Sequence, residues 1–543
     1  MTALHGSYSG IADVVRARAE RSPEAASFTG VTFAGKGDRR TERLMTVGEL
    51  DARASAVARQ ILDSARPGDR ALLQYRHGID FVVGFLACLY AGVVAVPAPM
   101  PRQGLGRERL RSIVGSAKPM IALAGSSPGE ELDDLFDDDV RILRTDLVEP
   151  GERMPLASAR GGEGIALLQY SSGTTGDAKG VAITHANLLH QARVICAAVE
   201  PAPDDVAVSW LPMYHDMGLV TGVVMPMYVG LHCWLMSPDA FVTRPLRWMQ
   251  CISDARAAYC MAPDFAYAHC VSRIDDSDVR TLDLSSLRYA VSGAEPVRES
   301  TIGDFSRQFA PAGFRREAFY PAYGLAEGTL LVAGASGVRL RHMETSATAL
   351  DQLPPAVSCG RPILDMQVAI VDPEVGTRCA DGVEGEIWVQ GGSVAKGYWS
   401  AEELSVATFS AYASDGSGPW LRTGDMGLVE DGELYVRGRL KDLIKVRGQG
   451  VHPEDIEVAL ARSHPALTGA IAAFSVDDGR TERVVVVQEI GRGATRRISP
   501  EDALQALLAC SARSGLIPVD EIVLVDRALP RTTSGKVRRS ELR

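Results

Sequence analysis

Apolar and polar residues follow two different periods along the first part of the chain. Helical spacing recurs at Leu50–Leu62 and Arg107–Ser116,. Between and beside these segments lie short runs rich in Val, Ile and Leu, at Ala71–Gln74, Gly92–Val96, Met120–Ala124 and Val140–Leu143. Such alternation is typical of βα units, so the pattern predicts an α/β fold with a largely parallel, doubly wound sheet.

Two longer apolar runs have the length that a bilayer crossing requires. The first, Phe81–Met100, is interrupted by Gly92 and ended by Pro97, which favours a buried helix to about Tyr90 followed by a short core strand,. The second, Leu219–Met236, is interrupted in a similar way by Pro226, Gly230 and His232. We therefore assign both runs to the core and expect no transmembrane segment.

The pattern changes in the last third of the chain. Strand-like pieces separated by Gly and Asp between Gly385 and Tyr435 predict a small β subdomain,. Beyond it, an α+β module is predicted from helices and strands at Asp455–Ser463, Ala470–Phe474, Glu482–Glu489, Pro500–Arg513 and Glu521–Val525. We expect a large N-terminal domain over residues 1–438, a hinge at 439–442 and a small mobile C-terminal domain over 443–543.

Composition and charge narrow the function classes. The chain has 543 residues and a formal net charge of -11, from 57 Lys+Arg against 68 Asp+Glu, so it lacks the basic surplus that nucleic-acid binding requires,. Its nine cysteines form no CxxC pair, which indicates reduced thiols in a cytoplasmic protein,. The N-terminus has no signal-peptide pattern, so export is not indicated.

The most informative motif follows the predicted strand Ile165–Gln169. The segment Tyr170–Val181 reads YSSGTTGDAKGV. Glycines let backbone N–H groups turn toward phosphate oxygens, and further donors or charge come from Ser171, Ser172, Gly173, Thr174, Thr175 and Lys179,. The spacing is not that of a Walker A loop, and a plain flexible loop remains the alternative.

Other segments carry candidate binding residues whose simpler explanation is structural. His215 stands beside Asp216 among apolar residues, where a satisfied core histidine is the alternative,. In the segment Phe319–Glu327, Tyr323 can stack on a flat base and Glu327 can bind a phosphate-bound Mg²⁺,. The segment SGAEP at Ser292–Pro296 offers a second glycine turn after a strand.

Three charged residues complete the set near the end of the chain. Asp425 lies in a TGD segment that we predict to be a tight turn suited to ribose hydroxyls, and Arg439 can donate to the same sugar,. Lys536 stands on a Ser-Gly turn and either reaches a site or belongs to a solvated tail.

Taken in order, these motifs resemble the adenylate-forming superfamily of acyl-CoA synthetases, nonribosomal-peptide adenylation domains and luciferases over essentially the whole length. Within it the chain is most similar to fatty acyl-AMP ligases. The segments that carry this likeness are WLPMYHDMGL, SGAEPVR, FAPAGFRREAFYPAYGLAEGTLL, GGSVAKGYW and RGRLKDLIKVRGQGVHPEDIE.

The resemblance implies a role for each candidate residue. It places ATP phosphates at Ser171–Gly180, a nucleotide pocket at Gly293, Ala294, Glu295, Ala322, Tyr323 and Gly324, Mg²⁺ on Glu327, and the ribose between Asp425 and Arg439. It aligns Lys441 with the hinge, His215 with the mouth of the acyl pocket, Lys445 with the lysine of thiol transfer and Lys536 with the lysine of adenylation.

The implied activity is ATP-dependent conversion of a medium- or long-chain fatty acid to acyl-AMP, followed by transfer to the phosphopantetheine thiol of a separate acyl carrier protein. An acyl-CoA synthetase is the alternative, because Gly176 and Lys179 stand in the phosphate loop as they do in those enzymes. Only 32 residues separate Glu327 from Gly360, a short version of the segment thought to limit use of CoA. A catalytically inactive scaffold is the third possibility.

Overall fold

The computed structural model describes residues 8–34, 39–100, 105–125, 140–157, 162–170, 178–341, 355–446, 449–461, 463–464, 466–467, 469–477, 482–490, 497–514, 519–526, 528–531 and 537–542. Its α-helices are α1 Ile11–Arg21, α2 Val47–Leu62, α3 Ile79–Ala91, α4 Leu105–Ala117, α5 His185–Val199, α6 Asp216–Leu219, α7 Met225–Val229, α8 Pro238–Thr243, α9 Leu246–Asp254, α10 Asp264–Arg273, α11 Asp276–Val279, α12 Glu299–Phe309, α13 Glu402–Phe409, α14 Pro453–Ala461 and α15 Pro500–Ser514.

The strand runs predicted in the first part of the chain form one sheet. In spatial order it contains β6 Arg141–Arg144, β5 Ile121–Ala124, β3 Arg70–Gln74, β4 Val94–Pro97, β7 Ile165–Tyr170 and β8 Gly180–Thr184. All neighbours pair in parallel except β7 and β8. The Ser/Thr/Gly segment connects β7 to β8 in sequence, and the residues at the ends of these two strands, Tyr170 and Gly180, lie opposite each other in the antiparallel pair.

A second, larger sheet carries two of the predicted binding segments, the one at the end of β12 and the one on β13. In spatial order it contains β17 Arg361–Pro362, β14 Leu331–Gly334, β13 Phe319–Gly324, β12 Tyr289–Ser292, β11 Tyr259–Ala262, β9 Val206–Ser209, β10 His232–Met236, β1 Ala26–Ala34 and β2 Arg39–Thr46. Its central strands are parallel. These two sheets and their helices confirm the predicted α/β fold.

The remaining sheets are antiparallel or mixed. The β subdomain is β18 Gln367–Val371, β19 Gly385–Gln390, β20 Leu421–Glu430 and β21 Glu433–Arg439, and the C-terminal sheet is β24 Ile471–Asp477, β25 Glu482–Glu489 and β26 Glu521–Val525. Two small hairpins are β15 Leu340–Arg341 with β16 Ala356–Val357, and β22 Ile444–Val446 with β23 Gln449–Val451. The sequence prediction missed β18, which pairs with β19 and starts the subdomain earlier than Gly385.

Local signals explain where two early helices begin and end. Thr46 and Glu49 form a reciprocal capping box, so α2 begins at Val47 rather than at the predicted Leu50,. Helix α3 ends at Gly92, which has a φ of 66°,. All apolar side chains of α3 are buried, and no helix among the described residues is both long and apolar enough to cross a bilayer. The predicted core assignment of this run is confirmed.

Two sequence predictions are wrong in detail. Pro226 does not break the second apolar run, because α6 continues into a five-residue π-helical segment, Val220–Val224, which leads directly into α7 with Pro226 in its first turn,. The TGD segment is not an isolated tight turn, since it lies inside β20. There the register shifts against β19, and Gly424 has a φ of 69°,.

Candidate active site

The β-bulge in β20 presents Asp425 to its cross-strand partner Arg439 on β21. Thr423 donates through Oγ1 to the Ile387 carbonyl at 2.6 Å and accepts from the Asp425 amide at 3.0 Å, which fixes the bulge. The Arg439 Nε lies 2.7 Å from Asp425 Oδ1. The nearby Asp425 carboxylate is the main cause of the raised pKa of Arg439,.

Tyr323 joins this pair from the large sheet. It lies near the end of β13, is buried, and donates from its hydroxyl to Asp425 Oδ2 at 2.8 Å. Burial, reinforced by the Asp425 charge, raises the pKa of the Tyr323 hydroxyl, so it remains a donor at neutral pH,. One carboxylate is thus oriented by two donors from different sheets, although 102 residues separate Tyr323 from Asp425.

Glu327 lies close to this cluster, in the short turn Ala326–Gly328 that follows β13. Its Oε1 accepts a hydrogen bond from the Tyr398 hydroxyl at 2.8 Å. The Glu327 charge also contributes to the raised pKa of Arg439, which places the two groups within electrostatic reach. A single oriented carboxylate suits Mg²⁺, which is usually held by one or two carboxylates together with substrate phosphates.

Lysines approach the same region from two further segments. Lys179, just before β8, holds its Nζ 5.7 Å from the centre of the Tyr398 ring. Lys441 lies in the turn Leu440–Asp442, and burial lowers its pKa, with the positive charges of Arg439 and Lys179 adding to that effect. The predicted hinge lysine is therefore within electrostatic reach of Arg439 and Lys179.

The predicted base-binding segments lie side by side. Strands β12 and β13 pair in parallel, so the SGAE segment that follows β12 runs along β13. A Cβ on Gly293 would stand 2.8 Å from the Ala322 carbonyl oxygen, and one on Gly324 would stand 1.7 Å from the Leu330 carbonyl oxygen. Both positions therefore require glycine. Ala294 adopts a φ of 64°, and Glu295 turns toward α10, where it accepts from the Phe265 amide at 2.6 Å.

His215 contacts a different group of residues. Its Nδ1 lies 2.7 Å from Asp216 Oδ1, and its side chain is half-buried. It lines a small cavity together with Pro97, Pro99, Arg109, Ile113, Tyr170 and Tyr214. Because Tyr170 is the last residue of β7, this cavity adjoins the strand that leads into the phosphate loop.

The remaining predicted residues lie on a short strand or outside the described ranges. Lys445 lies on β22. The loop residues Ser171, Ser172, Gly173, Thr174 and Thr175 lie outside the described residues, as does Lys536.

Sequence reasoning missed Tyr398, which contacts both the predicted metal carboxylate and the predicted phosphate lysine. It was quoted only as part of GGSVAKGYW. The signal in the sequence is the glycine that precedes it, Gly397. In the structure this glycine has a φ of 142°, a backbone conformation that favours glycine,.

Comparisons with known proteins show the family of the chain. The AMP-binding enzyme family matches residues 15–399. The medium-chain-fatty-acid–acyl-carrier-protein ligase of Moorena producens is 38% identical over 96% of this chain and 93% of its own length. A putative fatty-acid–CoA ligase of Mycobacterium tuberculosis is 33% identical over 98% of this chain and 97% of its own length.

A solved structure extends the match to three dimensions. The fatty acyl-adenylate ligase of Legionella pneumophila, in complex with acyl adenylate and pyrophosphate, superposes with a TM-score of 0.74 at 35% identity, over 98% of this chain and 96% of that one. The chain therefore belongs to the AMP-binding enzyme family and, within it, to the fatty acyl-AMP ligases.

Proposed function

We propose that this enzyme activates a medium- or long-chain fatty acid with ATP and then passes the acyl group to the phosphopantetheine thiol of a separate acyl carrier protein. The observation that carries the proposal is the convergence of Asp425, Arg439 and Tyr323 with Glu327 and Lys179 in one region. The relatives' names support the same chemistry. Because all nine cysteines are free thiols, the proposed compartment is the cytoplasm,.

In the first step a carboxylate oxygen of the fatty acid attacks the α-phosphorus of ATP, the new O–P bond gives acyl-AMP, and pyrophosphate leaves. The nucleophile is already ionised at neutral pH, so no general base is needed. The main requirement is to neutralise negative charge, since two anions meet. In this proposal the phosphate loop with Lys179 and the terminal Lys536 supply positive charge, and Asp425 with Arg439 holds the ribose.

The resemblance also implies a magnesium ion, and Glu327 is a suitable ligand because its Oε1 is already held by Tyr398. When bound, Mg²⁺ would supply charge neutralisation on the phosphate oxygens.

The second step places a thiol where Lys536 acted, so the C-terminal domain must change its pose. We propose domains at residues 1–438 and 443–543 with a hinge at 439–442, and Lys445 as the lysine that approaches the adenylate in the second pose. In this proposal His215 lies at the mouth of the acyl pocket.

The second candidate acceptor is free CoA. It is favoured by Lys179, which the phosphate loop shares with acyl-CoA synthetases, and by the printed name of the mycobacterial relative. The two acceptors give different products from the same acyl-adenylate, so one experiment separates them.

The test is incubation with ATP, Mg²⁺ and a ladder of fatty acids, with either CoA or a phosphopantetheinylated carrier protein, and identification of products by mass spectrometry. We expect acyl-AMP and pyrophosphate with medium or long chains, and acyl transfer to the carrier. Acyl-CoA as the main product would reassign the acceptor. Absence of fatty-acid-dependent pyrophosphate exchange with every chain length would favour an inactive scaffold.

A further inference from the structure

The segment that carries Tyr398 connects two parts of the candidate site through its backbone. Trp399 donates to the Gly180 carbonyl at 2.7 Å, and Ala182 donates to the Gly397 carbonyl at 2.9 Å, so the segment extends the edge of the sheet beside β8. A few residues earlier, Ala395 donates to the Glu327 carbonyl at 2.8 Å. The same segment thus binds the strand that leaves the phosphate loop and the turn that carries Glu327.

The Tyr398 side chain repeats this connection. Its hydroxyl donates to Glu327 Oε1 at 2.8 Å, while its ring faces the Lys179 ammonium at 5.7 Å. The ring itself is held edge-on against Phe409 of α13, with centroids 5.2 Å apart and planes at 78°. Ser405 accepts the Tyr398 amide at 2.8 Å. Phe409 and Ser405 therefore help to fix the position of the tyrosine from the side of α13.

We propose that Tyr398 is a positioning residue, which orients the Glu327 carboxylate for Mg²⁺ through its hydroxyl and steers Lys179 toward the ATP phosphates through its ring. This inference rests on the proposed function. With Oε1 held by the tyrosine, Oε2 is the oxygen offered to the metal, and fixing the carboxylate in advance lowers the cost of ordering it on binding.

A purely structural tyrosine would make a similar bond without affecting ligands, and the chain contains such a case. Tyr90 of α3 donates to the buried Asp51 carboxylate at 2.7 Å. Asp51 is also paired with Arg16 and Arg153, each at 2.8 Å, so it serves the core packing of α1 and α2. Tyr90→Phe is therefore a matched control, because it removes the same kind of hydrogen bond outside the candidate site.

The test measures Mn²⁺ binding by electron paramagnetic resonance in the presence of α,β-methylene-ATP, with Mn²⁺ as the probe for Mg²⁺. We expect Tyr398→Phe to weaken Mn²⁺ binding roughly 10- to 100-fold, the usual effect of losing a group that orients a metal ligand. Tyr90→Phe should stay within about two-fold of the parent, as an independent site does. The Mg²⁺ concentration for half-maximal pyrophosphate exchange should rise with Tyr398→Phe in the same proportion.

The role of the ring is tested separately. ATP affinity measured in EDTA should fall about three-fold in Tyr398→Ala, since the contact with Lys179 is lost, and should not change in Tyr398→Phe, which keeps the ring. The phenylalanine variant also guards against misfolding, because it leaves the packing on Phe409 intact. A parent-like Mn²⁺ affinity in Tyr398→Phe would overturn the role of the hydroxyl.

The outcome with Glu327→Gln separates this inference from the proposed function. If Glu327→Gln weakens Mn²⁺ binding and Tyr398→Phe does not, only the inference is wrong. If neither variant changes Mn²⁺ binding, the proposed metal site itself is wrong. When both weaken it, adding Tyr398→Phe to Glu327→Gln should have little further effect, because the hydroxyl acts through that carboxylate.

Discussion

At the scale of single residues, the candidate site depends on the buried carboxylate of Asp425, whose desolvation costs free energy. Asp425 is 7% exposed, and its charge is compensated by Arg439 and the hydroxyl of Tyr323. In the proposed role of Asp425, this carboxylate accepts hydrogen bonds from the two vicinal hydroxyls of a ribose. Arg439 is about half exposed, so its pairing is screened by water and its main effect should be on ligand binding rather than on stability,.

We therefore expect Arg439→Ala to raise the dissociation constant for ATP about ten-fold or more, corresponding to about 1.4 kcal/mol. Isothermal titration calorimetry would measure it. Arg361→Ala is the control, because Arg361 is also largely exposed and pairs at 3.2 Å with a buried carboxylate. That carboxylate belongs to Glu433, which lies on β21 as Arg439 does. Equal affinities in the two variants would contradict the assigned role of Arg439.

At the scale of elements, the start of α5 supports the segment that leads to Tyr398. Thr184 and Asn187 form a reciprocal capping box at this helix start. The Asn187 amide also donates to the Gly392 and Val394 carbonyls, at 2.9 Å each. The Asn187 side chain thus completes the cap at the start of α5 and also holds a loop that lies 205 residues away in sequence.

Replacing this asparagine should cost more than an ordinary cap. Asn187→Ala removes the N3 half of the capping box, in which Asn187 Oδ1 accepts from the Thr184 amide, and the two bonds to the loop. At about 1 kcal/mol for each bond, we expect a loss of about 2–4 kcal/mol. The comparison is Glu49→Ala, which removes only the corresponding N3 half of the capping box of α2 and should cost about 1 kcal/mol,. Urea midpoints measured by circular dichroism would decide, and similar shifts in both variants would refute the role of Asn187 in holding the loop.

At the scale of the whole molecule, ion pairs connect the β subdomain to the C-terminal part of the chain. His452 Nε2 lies 2.6 Å from Glu384 Oε1, and Arg437 lies 2.7 Å from Asp455 Oδ2. Farther along, Arg539 contacts Glu454 and Glu457, both at 2.9 Å. A change of pose about residues 439–442 would have to break the first two contacts.

Glu384→Gln should therefore loosen the docking of the C-terminal part, and limited trypsin digestion near the proposed hinge should become several-fold faster, because local opening exposes the backbone. Glu430→Gln is the control, since Glu430 lies on β20 of the same subdomain but pairs with Arg341 of β15 and not with the C-terminal part. Unchanged digestion of Glu384→Gln would contradict the proposed docking role.

The Glu384 carboxylate should also make the docking of the C-terminal part depend on pH. Burial would raise the pKa of Glu384, but His452 and Arg437 outweigh burial and hold the pKa below its ordinary value of 4.5. The contribution of Glu384 is thus fully present above about pH 4.5 and is lost as pH falls through the lower, folded-state pKa. Hydrogen exchange of the amides at 439–442, followed by mass spectrometry, should be slower in the parent than in Glu384→Gln above about pH 4.5, and the two should converge below the folded-state pKa.

Much of the fold follows from short-range pattern. The strands predicted at Ala71–Gln74, Met120–Ala124 and Val140–Leu143 lie within one residue of β3, β5 and β6, and Glu521–Val525 coincides with β26. The motifs also indicated the chemistry, because glycines, carboxylates and lysines at those spacings suit a nucleotide with its phosphates. The membership in the AMP-binding enzymes confirms that prediction, whereas the individual residue roles stay predictions.

The sequence by itself determined the period of each element, the order of the sheets' strands along the chain and the types of residue available for catalysis. Only the tertiary structure decided that the TGD segment is a bulge in β20, and that Tyr398 meets Glu327 across 71 residues of sequence. The physical reason is the distance along the chain over which each interaction acts. Periodicity and capping depend on neighbours within a few residues, whereas a bulge or a cross-sheet hydrogen bond depends on which distant strand packs alongside.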